Sequence, residues 1–347
     1  MATFPSKVNY ATGDILTATN MNDVGGAINL LQSAQTAAGK NAVINGAMDI
    51  WQRGTTFTNG GIYTADRWYF DISAGTVTSA RESTIVPAGF QYSWKITKSA
   101  GSSSATAIQQ TIETSNAIQF AGKSVVLSAY FAADASTLFS PVLEYSTAAD
   151  NPRSGSWTGI TPTVDGATTV TSTTFVRVSS TFAIPSTAKT LRINYGPTVA
   201  ASSSIYITGV QLEATTTVSV FQRAAGNIAG ELAACQRYYL KSYAQATAPA
   251  TATNTVGAFA FAAVNSTATD NRANVRFPVN MRGTPTITVY SSSTGTSAKI
   301  YNENTTLDLG GAAQFIGESG FHGYVSSGVI TGAGTVLIFH YVASAEL

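Results

Sequence analysis

Ile205–Tyr243, IYITGVQLEATTTVSVFQRAAGNIAGELAACQRYYLKSY, changes its apolar period twice, and the organisation of the chain follows from that change. Ile205, Ile207, Val210 and Leu212 alternate as in a strand, interrupted at Gly209, and Phe221 precedes a break at Gly226. From Asn227 onward, Ile228, Leu232 and Cys235 are spaced by four and three, which places them on one face of a short helix. Alternation returns over Tyr238–Tyr243. The stretch reads as the last strand of one β unit, a connector with one helix, and the first strand of another.

With 347 residues, the chain is long enough for two domains that each bury a core. Charged residues make up only 11%, with a formal net charge of +1, so nothing draws the chain to nucleic acid or to an anionic membrane over long range. Ser, Thr, Asn and Gly carry the solubility instead, and the many β-branched residues favour strands over helices. The lone Cys235 excludes an intrachain disulfide and a Cys-rich zinc site, and its place on the apolar helix face makes it a small buried hydrophobe. Met1–Ala11 lacks a basic start followed by an apolar run, and no segment reaches the roughly 20 apolar residues that span a bilayer. The expectation is synthesis in the cytosol, any export being as cargo on a particle, with no nucleic acid partner and no membrane insertion.

Three units follow in order. Residues 1–40 contain a capped helix in which Met21, Val24, Ile28 and Leu31 keep an a/d spacing, a narrow seam suited to self-association. Residues 41–222 carry about eight short strand signals divided by Gly, Ser, Asn and Pro, the pattern of an antiparallel jelly-roll β-sandwich. Residues 223–347 hold the linker helix and further strands, among them Phe315–Phe321 and Val336–Val342, and read as a second, smaller antiparallel β-sandwich. TVLIFHYVAS lacks alternation at its start, so it is expected to be buried on both faces, with another copy of the chain as its second cover. The fold class is mainly β, with a short N-terminal helix and a trimeric assembly.

A resemblance supports this order. GVQLE, FQR and ELAACQRYY in the quoted stretch, INGAMDIWQRGTTFTNGGIYTADRW at Ile44–Trp68 and FPVNMRGTPT at Phe277–Thr286 resemble motifs of tail-fibre and related adhesin proteins of tailed bacteriophages. The resemblance implies a jelly roll like that of carbohydrate-binding modules, a distal β-sandwich, and an N-terminal segment gripped by other virion tail proteins through residues 1–40. It implies a homotrimer on the virion tail that attaches the particle to a host surface polysaccharide by non-covalent binding. Purely structural service in the virion, as a head fibre or tail adaptor, is the alternative. A prophage-derived or cellular carbohydrate-binding protein is another.

The parts of an enzyme are scarce. His322 and His340 lie in no two-His metal spacing, and there is no nucleophile elbow or phosphate-gripping loop. Asp66, Asp71, Glu144 and Glu213 are too scattered to nominate the carboxylate pair of a glycan depolymerase. No catalytic, cofactor-binding or metal residue is assigned. In Ile44–Trp68, Trp51 and Trp68 read as core residues, with Asp66 and Arg67 pairing to pin a loop. Receptor contacts are expected from Trp157, in the loop NPRSGSW, and from Tyr301, Asn302, Phe321, His322 and Tyr324 in the terminal unit.

Overall fold

The computed structural model describes residues 40–254 and 256–347, which form a mainly β protein with several antiparallel sheets and a few short helices. The seam residues Met21, Val24, Ile28 and Leu31 lie outside the described residues. Two seven-stranded sheets enclose one hydrophobic core that draws on residues from Val43 to Leu212. The first runs, edge to edge, through Thr56–Thr58, Val77–Glu82, Ser93–Lys98, Ser204–Glu213, Ser124–Ala133, Val176–Ala183 and Pro162–Val164. The second contains Thr158–Ile160, Pro141–Ser146, Thr190–Tyr195, Ser104–Ile112, Tyr69–Ile72 and Ile62–Tyr63 along its path. Trp51, Trp68 and Trp94 meet edge to face or tilted in the core between them, and each is nearly or wholly buried.

Ser204–Glu213, the GVQLE strand, is buried along its full length because neighbours flank it on both sides and residues 41–48 dock over its end. Its ladder slips between Thr208 and Gln211, where Gly209 turns to a φ of +61°. Freed by that bulge, Val210 donates its N–H to Gly46 O, and the Asn41 side chain bonds Val210 O and Leu212 N. A Cβ at Gly46 would fall 2.2 Å from Val210 O, so this contact requires glycine. The INGAM and GVQLE motifs occur together because each supplies half of one contact.

The linker helix spans Ile228–Gln236 and is capped by Asn227, whose Oδ1 accepts from Gly230 N. Its buried face is the expected one only at Cys235. Glu231 and Cys235 point inward, whereas Ile228 is 53% exposed. Glu231 turns inward because two otherwise orphaned amides, Asn45 N and Ala225 N, donate to its carboxylate. Burial raises the Glu231 carboxyl above its usual range, and those two N–H donors oppose the shift. Ile228 and Leu232 instead line a cavity of about 320 Å³ beside Trp51.

In the terminal unit, eight strands form one connected antiparallel ladder around a single core. Val336–Ser344 organises it, pairing with Tyr239–Lys241, Phe259–Ala262, Thr286–Ser291 and Lys299–Asn302. Leu337, Phe339, Tyr341 and Ala343 enter the core, and Ile338, His340 and Val342 are also buried on the opposite face. The cover over that second face at His340 is the chain's own. His340 stacks on Tyr243 at 3.8 Å, shares a hydrogen bond with Ser242 Oγ and donates Nε2–H to Thr253 O. Burial lowers the His340 pKa, which keeps the ring neutral. The second copy expected over this strand is therefore not needed there. The Phe315–Phe321 run is likewise not one strand but a hairpin between Leu307–Gly317 and Gly320–Ser327.

A buried polar joint connects the two units. Glu346 accepts from Arg53 Nη2 at 2.9 Å and from Arg67 Nη1. The two guanidinium groups lie over Tyr239 and Tyr238, at 3.6 and 3.4 Å from the ring centroids. Asp66 and Arg67 do not pair with one another: Asp66 accepts from Gln52 N and its side-chain amide and faces Arg53, while Arg67 reaches Glu346 and Thr111 O. Burial pushes the Asp66 carboxyl up to about 6, and Arg53 and Gln52 limit the rise. Gln52 then bridges to Tyr239 O at 2.8 Å, and Tyr63 Oη donates to Leu347 O.

Gly209→Ala tests the bulge. The added methyl would meet the Phe90 and Tyr130 rings at 2.7 Å at a left-handed φ, so we expect a loss of about 2–4 kcal/mol from backbone strain and overpacking together, read by urea unfolding.

Candidate functional site

Strand pairing sorts the second sheet into an inner and an outer face. Leu143, Ile193, Ile108 and Phe70 point into the core, so their neighbours Val142, Asn194, Gln109 and Tyr69 form a row across the outside. A parallel row carries Glu144, Arg192 and Thr111, and Asp71 beside Ala107 begins the next. The outer face is thus mostly polar, with Tyr69 in its floor and Tyr63 edge to face with it at the sheet edge.

A loop at 151–157 walls this floor. Asn151 shapes it by donating to Ser156 O, and Gly155 N closes a turn onto Pro152 O. It sets two large side chains, Arg153 and Trp157, against the sheet. The Arg153 guanidinium lies 3.8 Å from the Tyr69 ring centroid, held by packing and not by a hydrogen bond to the described residues. Trp157 is half-buried, its indole N–H shared between Pro152 O and Arg153 O, and Arg192 lies 4.7 Å from its ring centroid. Arg192 is itself fixed, donating to Glu144 Oε2 at 2.6 Å and to Arg153 O at 2.9 Å.

The floor has unused polar capacity. Asn194 Oδ1 is buried without a partner among the described residues. Further along the same strands, an open hollow of about 270 Å³ is lined by Asp71, Ile72, Ser73, Ala105, Thr106 and Ala107, and by none of Tyr69, Arg153, Trp157 and Asn194. Two aromatic rings held in place by arginines and an amide oxygen with a spare acceptor, on one sheet face, are groups that pack against a sugar ring and bond its hydroxyls. Among the described residues, no cluster of His, Cys, Asp or Glu could hold a metal ion, and no helix is long and apolar enough to cross a membrane.

The residues expected to contact a receptor do not form one site. Trp157 is on the outer face just described. Tyr301, His322 and Tyr324 lie on the outward side of the terminal sheet. Asn302 is wholly buried, its Oδ1 accepting from Asn304 N and Thr305 N to build a turn. Phe321 is a core residue against Phe277 and Tyr341. Sequence reasoning missed Tyr69, Arg153, Arg192 and Asn194. The alternation of Thr190–Tyr195 does carry the signal, because apolar Leu191, Ile193 and Tyr195 force Arg192 and Asn194 outward.

No protein-family model and no curated protein sequence matches the chain. Solved structures do. The enzymatically active domain of tailspike protein 4 from bacteriophage CBA120 is similar at 17% identity and a TM-score of 0.34, over 51% of this chain and only 22% of that one. The C-terminal family 22 carbohydrate binding module of Clostridium thermocellum Xyn10B is similar at 18% identity and a TM-score of 0.32, over 48% of this chain and 98% of that module. The CBM22-1 xylan-binding domain of Paenibacillus barcinonensis Xyn10C gives 12%, a TM-score of 0.32, and coverage of 52% and 98%. At such low identity and TM-score, a functional reading has to rest on the outer face itself.

Trp157 is the only tryptophan of the four that is not buried. Trp157→Phe should therefore remove most of the acrylamide-quenchable fluorescence of the folded chain. Retention of that quenching in the variant would place the accessible indole elsewhere.

Proposed function

We propose that this chain binds a glycan without cleaving it, through the outer face of the second sheet, and that it does so as a tail-fibre protein attaching a bacteriophage virion to its host. The observation that carries the binding reading is Arg153 held over Tyr69 and Arg192 held against Trp157 on the polar outer face, with Asn194 in the same cross-strand row as Tyr69. One stacked ring and a few hydroxyl contacts give weak affinity. Presentation of several copies, as a homotrimer gripped through residues 1–40 by tail proteins, would raise the avidity by effective concentration. The virion role rests on the sequence resemblance, and the binding role rests on the face.

The test is an array of bacterial surface polysaccharides probed with the purified full chain. The chain should retain one or more glycans, and Tyr69→Ala and Trp157→Ala should each weaken that binding by about tenfold or more, with little change in unfolding midpoint. An array on which nothing binds, or binding indifferent to both variants, would contradict this reading.

A further inference from the structure

Phe315 stands where a phenylalanine is hard to explain by folding alone. It sits at a bulge in Leu307–Gly317, where the ladder slips between Gln314 and Gly317, and its φ is +50°. Gly or Asn takes such a left-handed bulge position readily, whereas a bulky residue there is an outlier. The ring gains little burial in return, since it remains 70% exposed and meets the His322 ring edge to face at 5.4 Å. Its neighbour Ile316 packs against the core, so the bulge itself has a structural use, but the phenyl ring does not share in it. Backbone strain together with an exposed aromatic points to contact with another molecule.

The surroundings indicate which kind. Asn274, His322 and Gln314 are direct cross-strand partners on the outward side of the sheet. Gln314 Nε2 and His322 Nδ1 are buried without hydrogen-bond partners among the described residues. On Arg272–Arg276, Ala273 and Val275 enter the core, so Arg272, Asn274 and Arg276 face outward and all three are exposed. The residue opposite Arg276 is Gly320, where a Cβ would fall 2.2 Å from Val275 O, so no side chain can stand between Arg276 and the Phe315 side. Two strand spacings, about 10 Å, separate those two positions. The acid nearest along the hairpin is Glu318, in the turn.

We infer that this outward face is a second binding site, distinct from the Tyr69 and Trp157 face, which takes an acidic sugar. The pyranose ring lies on Phe315, its hydroxyls reach Asn274, Gln314 and His322, and its carboxylate meets Arg276, the planar fork that suits it. The site stands on its own observations and survives if the first face proves inert.

The test uses the full chain on immobilised glucuronate-, galacturonate- and mannuronate-containing oligosaccharides, their carboxyl-reduced neutral forms, and a sulfated dextran. At least one uronate should bind, and its affinity should fall tenfold or more on carboxyl reduction, in Arg276→Gln and in Phe315→Asn, but not in Tyr69→Ala or Trp157→Ala. Phe315→Asn should also unfold at the same or a higher temperature than the parent chain. The inference is overturned by a lower unfolding midpoint in Phe315→Asn, which would give the ring a structural role. It is equally overturned by equal binding of the reduced forms, by sulfated dextran binding that ignores Phe315, or by no uronate binding at all.

Discussion

One carboxylate shared by two buried arginines holds this molecule together. Removing Glu346, Arg53 and Arg67 from water is costly, and their mutual attraction offsets that cost only if the remaining donors are satisfied and the geometry is good. The joint meets most of those conditions with Thr111 O on Arg67, Asp66 on Arg53, and the faces of Tyr238 and Tyr239 against the two guanidinium planes, and leaves only Arg67 Nε buried without a partner among the described donors of the two arginines. Arg67 itself is held at a φ of +73°, a strained conformation that over-determined surroundings sustain. The QRG, ADRW and RYY segments, separated by up to about half the chain, are thus a single device.

That device was only partly legible in the sequence. The tryptophans of Ile44–Trp68 read correctly as core, because large apolar residues flanking strands have few other places to go. The Asp66–Arg67 pairing failed because adjacent residues in a tight turn diverge, and each found a partner on a different segment. The helix face was right at Cys235 and wrong at Ile228 for a related reason: spacing ranks Ile228 above Glu231, but a buried carboxylate with two backbone donors outweighs an isoleucine that can line a cavity. TVLIFHYVAS was rightly read as buried on both faces. What periodicity could not supply was the cover, which at His340 comes from Ser242, Tyr243 and Thr253 and removes that strand's need for a second copy.

The candidate faces were legible to different degrees. Strand alternation alone places Arg192 and Asn194 outward, and the loop aromatic Trp157 was visible as such. Arg153 over Tyr69 depends on how a loop folds back across a sheet, which no local pattern encodes. Phe315 is hidden more deeply, since in sequence it looks like part of an apolar strand and only the bulge turns it to solvent. Both faces lie on sheets whose inner sides are dry and closely packed, so their side chains are positioned by rigid elements.

The joint makes the two units one thermodynamic body, and calorimetry tests that most directly. The parent chain should unfold in a single cooperative transition, and Glu346→Ala, which leaves buried Arg67 without a carboxylate and Arg53 with Asp66 alone at a cost of about 3–5 kcal/mol, should separate it into two. Two transitions in the parent chain, or one undivided transition at an unchanged temperature in the variant, would contradict the account.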